Sequence, residues 1–107
     1  EKYINKIING NCVEVMKNFD ENSIDLTLTS PPYDNLRTYK GFTFPFEDIA
    51  KELYRITRVG GIVVWVVNDA TIEGSETGTS FKQALKFMEV GFNLHDTMIF
   101  QYSNLFS

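Results

Sequence analysis

The sequence predicts an α/β domain in which a mostly parallel sheet is flanked by helices. Segments rich in β-branched residues alternate with segments whose apolar residues recur at helical spacing. Two of the strand-like segments, residues 24–29 and 62–67, are almost continuously apolar, which is typical of parallel strands covered on both faces. The helix-like segment at residues 46–58 separates them and fits a crossover connection. The alternation indicates the order β-α-β-α-β-α-β within one domain, residues 1–107.

The first part of the chain contains two short elements and one buried strand. Residues 3–8 predict a short strand. Residues 13–18 predict one or two helical turns, with Val13 and Met16 on the same side. The apolar run at residues 24–29 then predicts the first buried strand of the sheet.

A loop, a helix and a central strand are predicted in the middle of the chain. Residues 34–44 are polar and aromatic and predict the loop, while Pro45 suits the first turn of the helix at residues 46–58. Gly60 suits the C-terminal cap of this helix, and residues 62–67 follow as the central strand. The helix is expected to face the core with Phe46, Ile49, Ala50, Leu53, Tyr54 and Ile56.

The last part of the chain predicts a loop, a helix and a strand. Residues 71–78 are rich in Gly, Thr and Glu and indicate the loop. Ser80 is placed to cap a helix over residues 81–90, which Gly91 ends. Its core-facing positions are expected to be Phe81, Ala84, Leu85 and Met88. Residues 92–101 predict the final strand.

Composition excludes several classes of function. The net charge of −4 offers no general attraction to a polyanion, so any affinity for nucleic acid must come from local charges or from other parts of the protein. Cys12 and His95 are the only Cys and His, which leaves neither an internal disulfide nor a cluster of metal ligands. No apolar run approaches the roughly 20 residues of a membrane span. These features predict a cytoplasmic protein without metal and without a membrane partner.

The most informative segment is Thr29-Ser30-Pro31-Pro32-Tyr33, at the end of the first buried strand. Two prolines end strand pairing because neither has a backbone N–H to donate. Tyr33 is then held on a stiff loop at the mouth of the sheet, near a surface with oxygen acceptors and few donors. Such a site suits a flat group that carries N–H donors, such as the amine edge of a nucleobase. The alternative is a rigid turn with a packed tyrosine.

The expected architecture places this segment where ligands bind. In open parallel sheets, ligands bind beyond the carboxyl ends of the strands. Three segments are predicted to meet at that edge: residues 30–33, residues 68–70 and the residues near Gln101.

Residues 29–33 resemble motif IV of the DNA amino-methyltransferases, which methylate exocyclic amines of cytosine or adenine. Residues 8–16 and 22–26 resemble the lead-in to that motif, and residues 53–61 resemble the helix and Gly-Gly turn that follow it. The similarity covers roughly residues 7–100. It implies part of a Rossmann-like class I methyltransferase fold, S-adenosylmethionine as cofactor, and DNA with a flipped base as partner, as in restriction-modification systems.

The resemblance assigns roles to the motif residues. Ser30, Pro31, Pro32 and Tyr33 are the candidate catalytic residues. Ser30 Oγ and a carbonyl of the Ser30-Pro31 segment would accept hydrogen bonds from the target amine, while Tyr33 would stack on the flipped base. Serine at the first motif position favours cytosine N4 over adenine N6 within the family.

Three further residues are candidates for binding. Arg37 and Lys40 follow the motif and are candidate contacts to DNA phosphates, the alternative being ordinary solvated charges. Asp69 ends the central strand and is a candidate contact in the cofactor or base pocket, the alternative being a cap for the next turn.

Departures from the family pattern bear on how complete the site is. Asn11 replaces the usual Asp, and Val59 replaces the usual Pro before Gly-Gly. The family's glycine-rich Phe-x-Gly-x-Gly motif is absent from these 107 residues. We therefore expect a fragment of a longer chain that is inactive alone and either self-associates or pairs with the missing part of the enzyme.

Two other functions remain open from the sequence. One is methylation of a different planar amide or amine, such as a protein glutamine or an RNA base. The other is a truncated, non-catalytic fragment that needs a partner chain.

Overall fold

The computed structural model describes residues 3–31, 45–67, 71–72, 74–76 and 78–99. Within them the chain forms three helices and two pairs of strands. The elements are α1 (Cys12–Met16), β1 (Ile24–Thr29), α2 (Phe46–Ile56), β2 (Thr57–Trp65), β3 (Thr71–Ile72), β4 (Ser75–Glu76) and α3 (Thr79–Val90).

The main sheet pairs β1 with β2 in parallel. Leu26 lies opposite Ile62 and Thr29 opposite Trp65, with α2 as the connection between the strands. This confirms the predicted parallel pair and the α/β character of the fold. The short antiparallel pair β3–β4 lies within the stretch that the sequence predicted as a loop.

Two predicted strands are not found. Residues 3–8 and 92–99 contain no strand in the structure, and residues 100–101 lie outside its described part. Both predictions rested on local composition alone. A strand also needs a neighbour for its backbone N–H and C=O groups, and the described residues provide none for these segments.

Helix α2 builds the core, but it ends two residues earlier than predicted. Thr57 already begins β2, and its Oγ1 donates to the carbonyl of Leu53 at 2.5 Å. The predicted cap residue Gly60 instead lies inside β2 with φ of 85°. The pairing register shifts between Ile24 and Leu26, so β2 accommodates extra residues there. Glycine is suited to this irregularity because it adopts positive φ without steric cost.

The core lies between α1, α2 and one face of the sheet. Its buried apolar residues are Met16, Ile49, Ala50, Leu53 and Ile56. Partly buried side chains surround it: Val13, Phe19, Ile24, Val63, Trp65, Phe87 and Phe92. Helix α1 begins at the cap residue Asn11, whose Oδ1 accepts from the backbone N–H of Glu14 at 3.2 Å. Asparagine thus caps α1 at the position where the family usually has Asp.

Helix α3 faces the core with a different side from the one predicted. Phe81, Leu85 and Met88 are exposed, whereas Gln83 is buried and Phe87 packs against the core. The buried side makes specific contacts that apolar spacing cannot reveal. Phe87 contacts the rings of Phe46 and Trp65, at centroid distances of 5.1 and 5.0 Å.

The ends of α3 also differ from the prediction in part. The helix begins at Thr79 with Gly78 at its N-cap, so Ser80 lies inside the helix rather than at its cap. Gly91 ends the helix as predicted, with its backbone N–H donating to the carbonyl of Met88 at 3.1 Å.

An ion pair joins α2 to α3. Lys86 Nζ lies 3.0 Å from Glu47 Oε1 and 3.2 Å from Glu89 Oε1. The hydrogen bond from Lys86 lowers the pKa of Glu47, and the bonds to Glu47 and Glu89 raise the pKa of Lys86. The ion pair therefore stabilises the fold at pH values between 4.5, the ordinary pKa of Glu, and 10.5, the ordinary pKa of Lys.

We expect Lys86→Met to lower the thermal unfolding midpoint slightly at neutral pH, because exposed ion pairs contribute little. The difference from the parent should shrink as the pH falls through the lowered pKa of Glu47 or rises through the raised pKa of Lys86. Thermal denaturation at a series of pH values measures it, with Lys82→Met on the same helix as control. A difference that is independent of pH would show that Lys86 acts through packing alone.

Candidate functional site

The motif begins where the sheet ends. Thr29 is the last residue of β1, and its carbonyl accepts a hydrogen bond from the backbone N–H of Val66 at 2.9 Å. Ser30 follows and is exposed, while Pro31 is buried. The end of β2 at Trp65 lies beside Thr29. The structure thus places the start of the motif at the carboxyl edge of a parallel pair, which is the edge where such sheets bind ligands.

The remaining predicted site residues lie outside the described part of the chain. These are Pro32, Tyr33, Arg37, Lys40 and Asp69, and Gln101 of the third predicted edge segment is also outside it. Their roles in catalysis, in DNA binding and in cofactor binding stay predictions.

A partly buried hydrogen bond holds the end of β2 beside the motif. Trp65 Nε1 donates to Gln83 Oε1 at 3.0 Å, and Gln83 is buried. Because Trp65 pairs with Thr29, this bond fixes the sheet edge next to Ser30. Gln83 was not among the residues singled out in the sequence. No signal in the pattern distinguishes it from an ordinary polar residue on an exposed helix face.

At the N-terminal end of β1, Arg55 connects the segment that precedes the strand to the C-terminal end of α2. Its guanidinium donates to the carbonyl of Met16 at 2.7 Å and to that of Phe19 at 2.9 Å. It also pairs with Glu52 Oε1 at 3.0 Å, and this hydrogen bond raises the pKa of Arg55. The planar guanidinium, with its five donors, can satisfy all three acceptors at once. In the sequence, the only feature that marks Arg55 is its position as a basic residue in the last turn of α2.

Two backbone hydrogen bonds join the same elements, and we call them, together with the contacts of Arg55, the anchor. The N–H of Asn22 donates to the carbonyl of Arg55 at 3.0 Å, and that of Ser23 donates to the carbonyl of Ile56 at 2.8 Å. Strand β1 starts at the next residue, Ile24. The position of β1, and with it the position of Ser30, depends on this junction.

We expect Arg55→Met to lower the thermal unfolding midpoint and to increase amide hydrogen exchange at Asn22 and Ser23. Methionine keeps the apolar stem of the side chain but leaves the two carbonyls without their guanidinium donors. Thermal circular dichroism and hydrogen exchange read by NMR measure the two effects.

The matched control is Lys51→Met, which replaces an exposed cation on the same helix. If Arg55→Met and Lys51→Met behaved alike in both measurements, the anchor would contribute nothing to the position of β1.

Within the described residues, no group of three or more His, Cys, Asp and Glu side chains is arranged to hold a metal ion. No helix in this part of the chain is long and apolar enough to cross a membrane. Cys12 is a free, exposed thiol at the start of α1.

The chain is similar to several bacterial methyltransferases. It is 61% identical over 89 residues to the orphan methyltransferase M.BamHII of Bacillus amyloliquefaciens, a match that covers 83% of this chain and 34% of the relative. It is 31% identical over 74 residues to the type II methyltransferase M.BglII of Bacillus subtilis, covering 63% of this chain and 20% of the relative. It is 35% identical over 68 residues to the type II methyltransferase M.HpaI of Haemophilus parainfluenzae, covering 54% and 21%.

No family model and no solved structure matches the chain. The chain spans about a third of the length of M.BamHII and about a fifth of the other two relatives. The matches confirm the predicted similarity to methyltransferases. The chain is similar in sequence to these methyltransferases and matches one segment of each.

Proposed function

We propose that this chain is the motif-bearing catalytic segment of a site-specific DNA methyltransferase that methylates an exocyclic base amine, cytosine N4 in preference to adenine N6. The observation that carries the proposal is the 61% identity with the methyltransferase M.BamHII. The position of Ser30 at the carboxyl edge of the sheet supports it.

The methyl transfer depends more on hydrogen-bond acceptors for the amine than on a general base. The lone pair of an exocyclic nitrogen is delocalised into the ring, so the nitrogen must become pyramidal before it attacks the methyl carbon. A nitrogen–carbon bond forms, the carbon–sulfur bond of the sulfonium breaks, and one proton then leaves the nitrogen. Acceptors on the two N–H groups favour this course because they bind the developing positive charge more strongly than they bind the neutral amine.

Ser30 is the proposed source of these acceptors. Its exposed position leaves the side chain accessible from the carboxyl edge. The two prolines that follow contribute no N–H donors, so the surroundings favour a group that donates. Tyr33 would stack on the flipped base, and stacking of this kind is worth roughly 1–3 kcal/mol per base.

S-adenosylmethionine is the proposed methyl donor, because it supplies a methyl group on a sulfonium. Asp69 is the candidate contact to it within this chain. The sequence contains no Phe-x-Gly-x-Gly turn that would let the backbone approach a cofactor closely. We therefore expect the chain alone to bind S-adenosylmethionine more weakly than micromolar affinity, which calorimetry measures.

A chimera tests the proposed activity. In M.BamHII, the segment that matches this chain is replaced by the corresponding residues of this chain, and the transfer of labelled methyl groups to DNA is measured. Digestion to nucleosides then separates N4-methylcytosine from N6-methyladenine. Label in N4-methylcytosine supports the whole proposal, and label in N6-methyladenine contradicts its choice of base. A folded chimera that labels protein or RNA but not DNA contradicts the proposed substrate class.

A further inference from the structure

Trp65 lies where the two elements that flank the motif segment meet. It pairs with Thr29, the last residue of β1, across the parallel sheet. Its ring also contacts the ring of Phe46, the first residue of α2, at a centroid distance of 5.6 Å. Thr29 and Phe46 are the residues on either side of residues 30–45, which include the Ser-Pro-Pro-Tyr motif. The position of Trp65 therefore bears on both ends of the segment that carries the motif.

A directional contact orients the indole of Trp65. Its ring contacts Phe46 and Phe87 edge to face, at interplanar angles of 63° and 75°. Apolar burial has no preferred direction, whereas a hydrogen bond requires a particular distance and angle. The bond from Trp65 Nε1 to Gln83 Oε1 therefore favours one orientation of the ring within these contacts.

The placement of Trp65 reaches Ser30 through the backbone. Val66 follows Trp65, and its N–H donates to the carbonyl of Thr29 at 2.9 Å. That carbonyl belongs to the peptide group that joins Thr29 to Ser30, so a shift of β2 at Trp65 would tilt this peptide. Because Gln83 is buried, we expect it to act on Ser30 along this path and not by contact with a substrate.

We propose that Gln83 is a positioning residue for the methyl transfer. Its hydrogen bond to Trp65 holds the Thr29–Ser30 peptide in the orientation that aims Ser30 Oγ at the target amine. This inference rests on the proposed function, in which Ser30 accepts a hydrogen bond from that amine. Placement matters at such a site, because a displacement of about 1 Å can lower a rate about 10²-fold. The alternative is that Gln83 only satisfies the N–H of a partly buried indole, as is usual for tryptophan.

Four variants separate the two roles. Gln83→Met removes the acceptor while keeping a side chain of similar length, and Gln83→Glu keeps an acceptor oxygen. Lys82→Met is the matched control at the adjacent, exposed position of α3. Trp65→Phe removes the donor instead, and it tests the same bond if Gln83→Met does not fold. Circular dichroism checks the fold of each variant.

The first measurement is NMR of the chain itself. Trp65 is the only tryptophan, so its indole N–H gives a single resonance. We expect Gln83→Met to speed the exchange of this proton by roughly fivefold to tenfold, as for one lost hydrogen bond. The same variant should shift the backbone amide resonances of Ser30 and Val66. Gln83→Glu should largely restore both properties, and Lys82→Met should change neither.

The second measurement is steady-state methyl transfer by the chimera with M.BamHII. We expect Gln83→Met to lower kcat by roughly tenfold to hundredfold without changing the KM for DNA, because the acceptor is misplaced while no contact to DNA is lost. Trp65→Phe should lower kcat to a similar extent. Gln83→Glu should recover most of the loss.

Two results would overturn the inference. The first is an unchanged Ser30 amide resonance in Gln83→Met although the exchange of the indole proton is faster. The second is a folded Gln83→Met chimera with the same kcat as the Lys82→Met chimera, because Gln83 would then only satisfy the indole N–H. A parental chimera that transfers no methyl group would instead contradict the proposed function. In that case a shifted Ser30 resonance would still uphold the link from Gln83 to Ser30, and an unshifted one would refute it.

Discussion

Ser30→Ala should lower the single-turnover rate of methyl transfer by roughly 10²–10³-fold in a methyltransferase that carries this segment, such as the chimera with M.BamHII. We expect a loss of this size by analogy with the effect on rate of removing one preorganised oxyanion-hole donor. Ser30 Oγ would likewise be aimed at charge that develops only in the transition state. Because Ser30 is exposed just beyond the end of β1, its loss should leave the sheet folded.

Tyr33→Ala should act differently on the same reaction. The loss of base stacking should weaken productive capture of the flipped base, so both KM and kcat should change. Single-turnover transfer of labelled methyl groups to DNA, with circular dichroism to monitor folding, separates the two variants.

Arg37→Ala provides the control for both substitutions. A phosphate contact changes the dependence of binding on salt concentration more than it changes the chemical step. If Ser30→Ala and Tyr33→Ala both retained the parental rate and affinity, the Ser-Pro-Pro-Tyr segment would be only a turn.

Leu53→Ala should destabilise the domain by about 2–5 kcal/mol, the usual cost of truncating a buried leucine. Leu53 is 4% exposed and packs with Met16, Ile49 and Ile56 in the core. Native domains have only about 5–15 kcal/mol of stability in total, so this single change should remove a large fraction of the domain's stability. Urea unfolding followed by circular dichroism measures the effect.

Leu85→Ala is the matched control, and it also tests the orientation of α3. The sequence pattern predicts that Leu85 faces the core, whereas the structure leaves it 66% exposed. We therefore expect a change within about 0.5 kcal/mol, as for other surface substitutions. Losses of similar size for Leu53→Ala and Leu85→Ala would contradict the structure at α3.

The sequence predicted the elements that depend on local spacing. The strand at Ile24–Thr29 was predicted with its observed bounds, and α1, α2 and α3 were predicted to within two residues at each end. A helix satisfies its backbone groups internally, so its pattern can be recognised without knowledge of its neighbours. The parallel pairing of β1 with β2 also followed, because the helical segment between them favours a crossover. The motif and its flanks indicated a methyltransferase, and the chain is similar in sequence to the methyltransferase M.BamHII.

The tertiary structure alone decided the side of α3 that is buried and the strands that exist. Apolar spacing predicts that Phe81, Leu85 and Met88 face the core. The contacts of Phe87 with Phe46 and Trp65 instead orient α3 with a different side toward the core. The acceptor for the indole N–H of Trp65 is a glutamine that no pattern marks. Residues 3–8 and 92–99 have strand composition but form no strand, because a strand is completed only by the backbone of a neighbour.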